Sequence, residues 1–301
     1  MKLRLFLAAV LLGVTLVLVV AAPASAHATL LQSDPAPGAV LQRSPSTITL
    51  RFDERVSAGL GAVRVYDRRG SRVDSGEGDV QGSSVRLRLS QLGTGSYVVT
   101  WRVTSNDTHP VSGAFTFQIG TVGNASSPAA RSLAQRLLNA QGGDPLVGAA
   151  YGVTRWMTFT GLTLLLGAAA FAVWVWPGSR GAARAHRLVV GAGLLVVGGT
   201  VAGFLLYGPY AAGLGFGKMT QGSLLDHTLG VRFGQVAVAR LVLLIVAVPV
   251  VGALLAPRRP LPRPLRLTLP ALAAVIGVAL AATPGYAGHA VTGRFVTLAV
   301  I

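Results

Sequence analysis

No cysteine occurs among the 301 residues, so the chain has neither a disulfide framework nor a thiolate metal site. Methionine is nearly as scarce. Beyond the initiator only Met157 and Met219 occur, which excludes a thioether-rich site for a soft metal ahead of residue 157. Lysine is missing between residues 27 and 120, where ten Arg stand against eight Asp or Glu, an ordinary soluble balance. Acids then all but vanish: from residue 121 onward only Asp144 and Asp226 offset fourteen Lys or Arg. The net charge of +16 would suit a nucleic-acid partner, but the basic residues of the second half cluster between long apolar runs, where a membrane protein puts them. Nucleic acid is therefore set aside as a partner, and the length fits about two domains.

What is present begins with Lys2 and Arg4, a long apolar run and the small-x-small triplet Ala24-Ser25-Ala26. This is the pattern of a secretory signal peptide over residues 1–26. Cleavage after Ala26 makes His27 the mature N-terminus. An N-terminal histidine offers its α-amine and its imidazole to one metal ion as a chelate, and two such nitrogens suit Cu(II).

Short alternating runs follow, at Thr47–Phe52, Ala62–Tyr66, Ser84–Leu89, Tyr97–Val103 and Ala114–Ile119. Their period of two puts apolar side chains on one face and Arg or Thr on the other. Between them Asp34–Gly38, Asp67–Gly70 and Gly93–Gly95 read as turns. Strands at this spacing in fewer than a hundred residues predict a small β-sandwich or barrel. Asp107 and His109 come just after the most convincing strand, and as i and i+2 of an extended segment they point the same way. Together with His27 they would supply three nitrogens and one oxygen, a set compatible with tetragonal Cu(II).

His27-Ala28-x-Leu30, Pro35-Ala36-Pro37-Gly38, Leu50-x-Phe52-x-Glu54, Gly95-x-Tyr97-x-Val99-x-Trp101-Arg102 and Ser105-x-Asp107-x-His109-Pro110-Val111-x-Gly113 occur in this order. In order and spacing they resemble the CopC copper-resistance domain over nearly all of residues 27–120. That resemblance implies a cupredoxin-like (Ig-like) sandwich, exported, that binds a Cu(II) ion through His27, Asp107 and His109, with Glu54 beside the ligands. Thr108 stands where relatives often have Gly, and the Met-rich segment of some relatives is missing, so the domain resembles the Cu(II)-only type.

Residues 121–149 read as a linker that includes a short amphipathic helix, Ala130–Leu138, at the membrane surface, the rest being a flexible tether. Residues 150–301 then form an all-α multi-span membrane domain. Four apolar spans, at 153–176, 188–207, 236–256 and 267–287, are each long enough to cross a bilayer. Arg180, Arg184 and Arg187 follow the first span, and Arg258, Arg259, Arg263 and Arg266 follow the third. The positive-inside rule places both loops in the cytoplasm and the sandwich outside, with the protein in the inner (cell) membrane. Trp156, Tyr207 and Tyr210 are read as outer-interface aromatics, Trp174 and Trp176 as inner ones. Met219, Asp226, His227 and His289 gather near the outer face as a candidate copper path. Arg155 and Arg240 are read as snorkelling to the outer interface, and His186 as a loop residue.

Thr228-Leu229-Gly230, Arg240-Leu241 and Gly288-His289-Ala290 resemble the CopD family, multi-span inner-membrane proteins implicated in copper transport. The apolar run Phe295–Ile301 reads as the start of a fifth span in a sequence that continues. The expectation is an exported Cu(II)-binding module tethered to a membrane copper-transport domain, a non-enzyme serving copper uptake, homeostasis or resistance, with other copper-handling proteins or a second copy as candidate partners. Two alternatives stand beside it. One is a copper oxygenase of the N-terminal-histidine type; the other is a metal-free Ig-like adhesion or signalling module on a membrane anchor.

Overall fold

Alternation becomes strand wherever one face can be buried, and in the computed structural model it does so between two packed sheets. The structure describes residues 28–57, 63–74, 76, 78–105, 108–120, 128–140, 142–175, 183–255 and 263–287. The signal peptide, His27, Asp107, His289, Trp176, Arg180, Arg258, Arg259 and the run from 295 to 301 lie outside them.

Nine strands build the exported part: β1 (Leu30–Asp34), β2 (Val40–Leu41), β3 (Thr47–Phe52), β4 (Val56–Ser57), β5 (Val63–Asp67), β6 (Asp79–Gln81), β7 (Ser84–Arg88), β8 (Gly95–Ser105) and β9 (Pro110–Ile119). One sheet has the order β1-β3-β7-β6; the other runs β2-β9-β8-β4, and β5 shares the β8 edge with β4. Ile48, Leu50 and Phe52 of β3 face Val99, Trp101 and Val103 of β8 and Phe115 and Phe117 of β9 across one core. The expected sandwich is thus present, followed by helices.

Strand β8 is buried on both faces, Val98 and Thr100 as well as Val99 and Trp101. Its outer side is covered by α1 (Pro128–Ala140), which packs on β8 and β9. The amphipathic helix read from the sequence exists, but its buried residue, Leu133, lies against the Asp67–Gly70 turn rather than against lipid. This helix of the 121–149 segment therefore packs on the sandwich.

Gly113 opposes Trp101 in the β8–β9 ladder, and a Cβ there would collide with the indole ring. The indole in turn meets Phe52 edge-on at 5.2 Å, so it has nowhere to retreat. Gly113→Ala should destabilise the sandwich by about 2 kcal/mol, the usual cost of overpacking. Thermal unfolding of the full chain would read this as a lowered first transition; an unchanged midpoint would mean that the indole can move.

Four helices are long and apolar enough to cross a membrane: Pro145–Val173, Ala183–Ala212, Arg232–Leu255 and Thr268–Tyr286. The first is α2 (Pro145–Ala170) continued by a π-helical turn, Phe171–Val175; the others belong to α3 (Ala183–Ala212), α5 (Arg232–Leu255) and α6 (Arg263–Tyr286), while α4 (Gly222–Gly230) is a short helix between the second and third spans. This makes the chain a multi-pass membrane protein. Asp144 starts α2 as its N-cap, accepting from the Leu146 N–H at 2.9 Å with Pro145 in the first turn. Helices α2 and α3 approach closely at Gly161, Gly199 and Gly203, where an added Cβ would press on the opposite helix, the small-residue packing that membrane helices use in place of a hydrophobic drive. Trp156, Ile245 and Val248 point outward, 63–71% exposed, as lipid-facing side chains do.

Candidate metal centre

The end of the sandwich nearest the helices is assembled from three segments. The first is the chain entry. Ala28 is 2% exposed within the core. Thr29 and Asp53 exchange hydrogen bonds, the Thr29 N–H donating to Asp53 Oδ1 at 2.7 Å and the Asp53 N–H to the Thr29 carbonyl at 3.1 Å. His27 directly precedes the buried Ala28 and stands two residues before this anchored pair. The second segment is the corner after β3, where Glu54 is half-buried and its Oε1 is shielded from solvent. Two residues later Val56 pairs with Ser105, so the corner is hydrogen-bonded to the root of the third segment, the β8–β9 loop.

That loop is tightly tied. The Ser105 N–H and hydroxyl both donate to the His109 carbonyl, at 2.9 and 2.8 Å, and the Thr108 N–H donates to the Ser105 carbonyl at 3.0 Å. His109 is half-buried with its Nδ1 out of solvent. Thr108 is buried and holds φ at +74°, a conformation that a β-branched side chain rarely accepts. Glycine would sit there without that strain. Topology thus brings the neighbours of His27 and Asp107, together with Glu54 and His109, to one end of the sandwich. His27 and Asp107 themselves lie outside the described residues.

The same end is seated on the membrane helices. From β8, the Arg102 guanidinium donates to the Ala211 carbonyl at 2.9 Å and to the Tyr210 carbonyl at 3.1 Å. These carbonyls belong to the last turn of α3, where the Gly213 N–H reaches the Tyr210 carbonyl at only 3.4 Å and the negative end of the helix dipole lies. Gly213, at φ +71°, reverses the chain there, and Gly143, at φ +78°, fits against the guanidinium; a Cβ on Gly143 would come within 3.2 Å of Arg102 Nη2. Arg102 reads from sequence as a solvent-facing strand position, and only its place in the family pattern marked it.

The membrane-side candidates are spread out. Met219 packs with Val147, Tyr151 and Tyr207; Asp226 is exposed on α4, and His227 beside it is half-buried, its imidazole held below the ordinary pKa of 6.5 by desolvation and so neutral at pH 7. Among the described residues no three His, Asp or Glu side chains cluster as a metal site. Tyr207 is not an interface aromatic: it is 2% exposed and stacks on Phe233 at 4.5 Å. Tyr210 stacks on Tyr151 at 4.4 Å. Arg240 does not snorkel either, being 6% exposed and turned inward to Thr200 and Thr283. A helix that is apolar all round gives no sequence signal for which side faces its neighbours, so the inward turn of both residues is set by packing alone. His186 is exposed at the start of α3.

Comparison with known proteins falls on the same two parts. The model of the CopC domain matches residues 30–120, and that of the copper resistance protein D-like, N-terminal domain matches residues 146–294. Copper transport protein CutJ of Bacillus subtilis is 32% identical over 100 residues, 32% of this chain and 18% of that protein. Copper resistance protein C of Pseudomonas syringae pv. tomato is 31% identical over 112 residues, 34% of this chain and 87% of that protein. The crystal structure of CopC from Methylosinus trichosporium OB3b aligns at 28% identity with a TM-score of 0.30, covering 33% of this chain and 98% of its own.

Proposed function

Because this chain belongs to the CopC family through residues 30–120 and continues into a copper resistance protein D-like membrane domain, we propose that it captures Cu(II) outside the cell membrane and hands it to the helices for uptake. The ligands are the amine and imidazole of His27, the carboxylate of Asp107 and the imidazole of His109. Glu54, at the corner tied to the same loop, orients them or tunes their charge. The arginine loops between the spans hold the sandwich on the outer side of the inner membrane. Copper is the cargo, and no reaction is catalysed.

One observation carries this reading: the loop bearing Asp107 and His109 is seated on the helix bundle, with Thr108 lining a cavity between the helices and Arg102 clamping the end of α3. A binding module fixed there raises the copper concentration at the bundle through proximity. No observation favours the oxygenase or the metal-free module.

The test is a Cu(II) titration with electron paramagnetic resonance on protein beginning at His27. One equivalent should bind with a tetragonal, nitrogen-rich signal, and Asp107→Ala or His109→Ala should each weaken binding by about tenfold or more, as loss of one donor from a four-donor set implies. Binding that ignores both substitutions would remove the copper site from this loop.

A further inference from the structure

Arg240 is the least expected side chain in the membrane domain. It lies eight residues into α5, about 12 Å from Arg232 along the axis, and is 6% exposed. Its Nε donates to Thr283 Oγ1 at 2.9 Å and its Nη1 to Thr200 Oγ1 at 3.4 Å. Neither partner carries charge. The acids described in this half of the chain are elsewhere, Asp144 capping α2 and Asp226 exposed on α4, and among the described residues Arg240 forms no ion pair. A buried charge without a counter-charge is costly.

A cavity of about 50 Å³ adjoins it, lined by Thr108, Tyr151, Thr154, Arg155, Thr200 and Arg240 among others. Among the described residues that line it there is no His, Met or carboxylate, and two guanidinium groups repel a copper cation. The donors in this cavity are left over on one side of the ledger. A guanidinium has five N–H groups and Arg240 spends two of them. The Tyr151 hydroxyl is buried with no hydrogen-bond partner among the described residues. By contrast, Thr154, Thr158 and Thr283 give their hydroxyl protons to helix carbonyls at 2.7–2.9 Å. What remains is a set of unspent donors and positive charge around a space suited to one small ion.

We infer that this cavity is a binding site for a small inorganic anion, of halide size, held by Arg240, Tyr151 and Thr200 beneath the Thr108 loop. The anion cancels the charge of Arg240 inside the bundle. A cation released at the Thr108 end then meets a cavity carrying one positive charge, that of Arg155, instead of two. The site itself does not depend on the copper reading.

The experiment uses the full chain in detergent micelles without copper. Chloride-35 line broadening and thermal unfolding are followed in chloride, bromide and gluconate at equal ionic strength, gluconate being too large for the cavity. The chloride-35 line should broaden saturably and narrow again as bromide displaces chloride, and both halides should stabilise the protein relative to gluconate. Arg240→Gln should weaken the effect tenfold or more, and Tyr151→Phe severalfold. The phenylalanine variant removes a hydroxyl that has no partner to lose, so it decides the matter if Arg240→Gln does not fold. Identical behaviour in halide and gluconate, or halide binding unchanged in Tyr151→Phe or in folded Arg240→Gln, would overturn the assignment.

Discussion

Protein that keeps residues 1–26, or that carries one extra residue ahead of His27, should bind Cu(II) at least about a hundredfold more weakly than protein beginning at His27. An amide replaces the amine in both forms, and an amide nitrogen is a poor donor at neutral pH. The imidazole remains, but it loses the chelate ring that made the second bond to the same residue nearly free of entropic cost. The chain has no means of compensating by shifting register. Ala28 is buried in the core and Thr29 is locked to Asp53, so the residue that follows the ligand cannot slide to bring a different amine into place. A competition titration against a chelator of known strength reads the difference directly. His27→Ala keeps the amine but loses the imidazole and the same chelate ring, and so should be weakened at least as much as the extended forms. Equal affinity in the extended and mature forms would take the α-amine out of the site and leave a ligand set of side chains only.

The sandwich was readable where alternation and length coincide. Thr47–Phe52 is a strand with the predicted bounds, and the runs at 63–67, 84–88, 95–105 and 110–119 differ only at their ends. The strands that went unseen lack the signal. Leu30–Asp34 has no period of two, and Val40–Leu41, Val56–Ser57 and Asp79–Gln81 are too short to show one. The four spans follow from composition alone, since only continuous apolar helices satisfy their backbone inside a bilayer. Which way those helices turn does not. Tyr207 looks interfacial until its stacking on Phe233 turns it inward, and Arg240 until its bonds to Thr200 of α3 and Thr283 of α6 do the same. Thr108 is a further case, because its departure from glycine reads as a neutral loop change. In the structure it is a strained residue at +74° that lines the cavity between the helices, where a glycine would relax the backbone and remove the contact.

Loosening the seat of the sandwich should separate binding from transport. Arg102→Ala removes two charge-assisted hydrogen bonds to the end of α3, worth about 2–3 kcal/mol together after the loss of water is counted. A change of that size lowers the docked fraction by roughly thirtyfold to a hundred-and-fiftyfold relative to undocked, at about 1.4 kcal/mol per factor of ten. The copper loop is tied through Ser105 and His109 within the sandwich, so its Cu(II) affinity should change by less than about twofold. Uptake at limiting copper should nevertheless fall by about tenfold, because the captured ion is no longer held at the bundle, and excess copper should restore it, since free ion then replaces the lost effective concentration. Arg102→Lys should be intermediate, because an ammonium keeps the charge but not the fork that reaches two carbonyls. Copper accumulation in cells and Cu(II) affinity in the purified protein are the two readings. If Arg102→Ala leaves accumulation unchanged at limiting copper, contact between sandwich and helices plays no part in delivery, and the membrane domain takes its copper from solution.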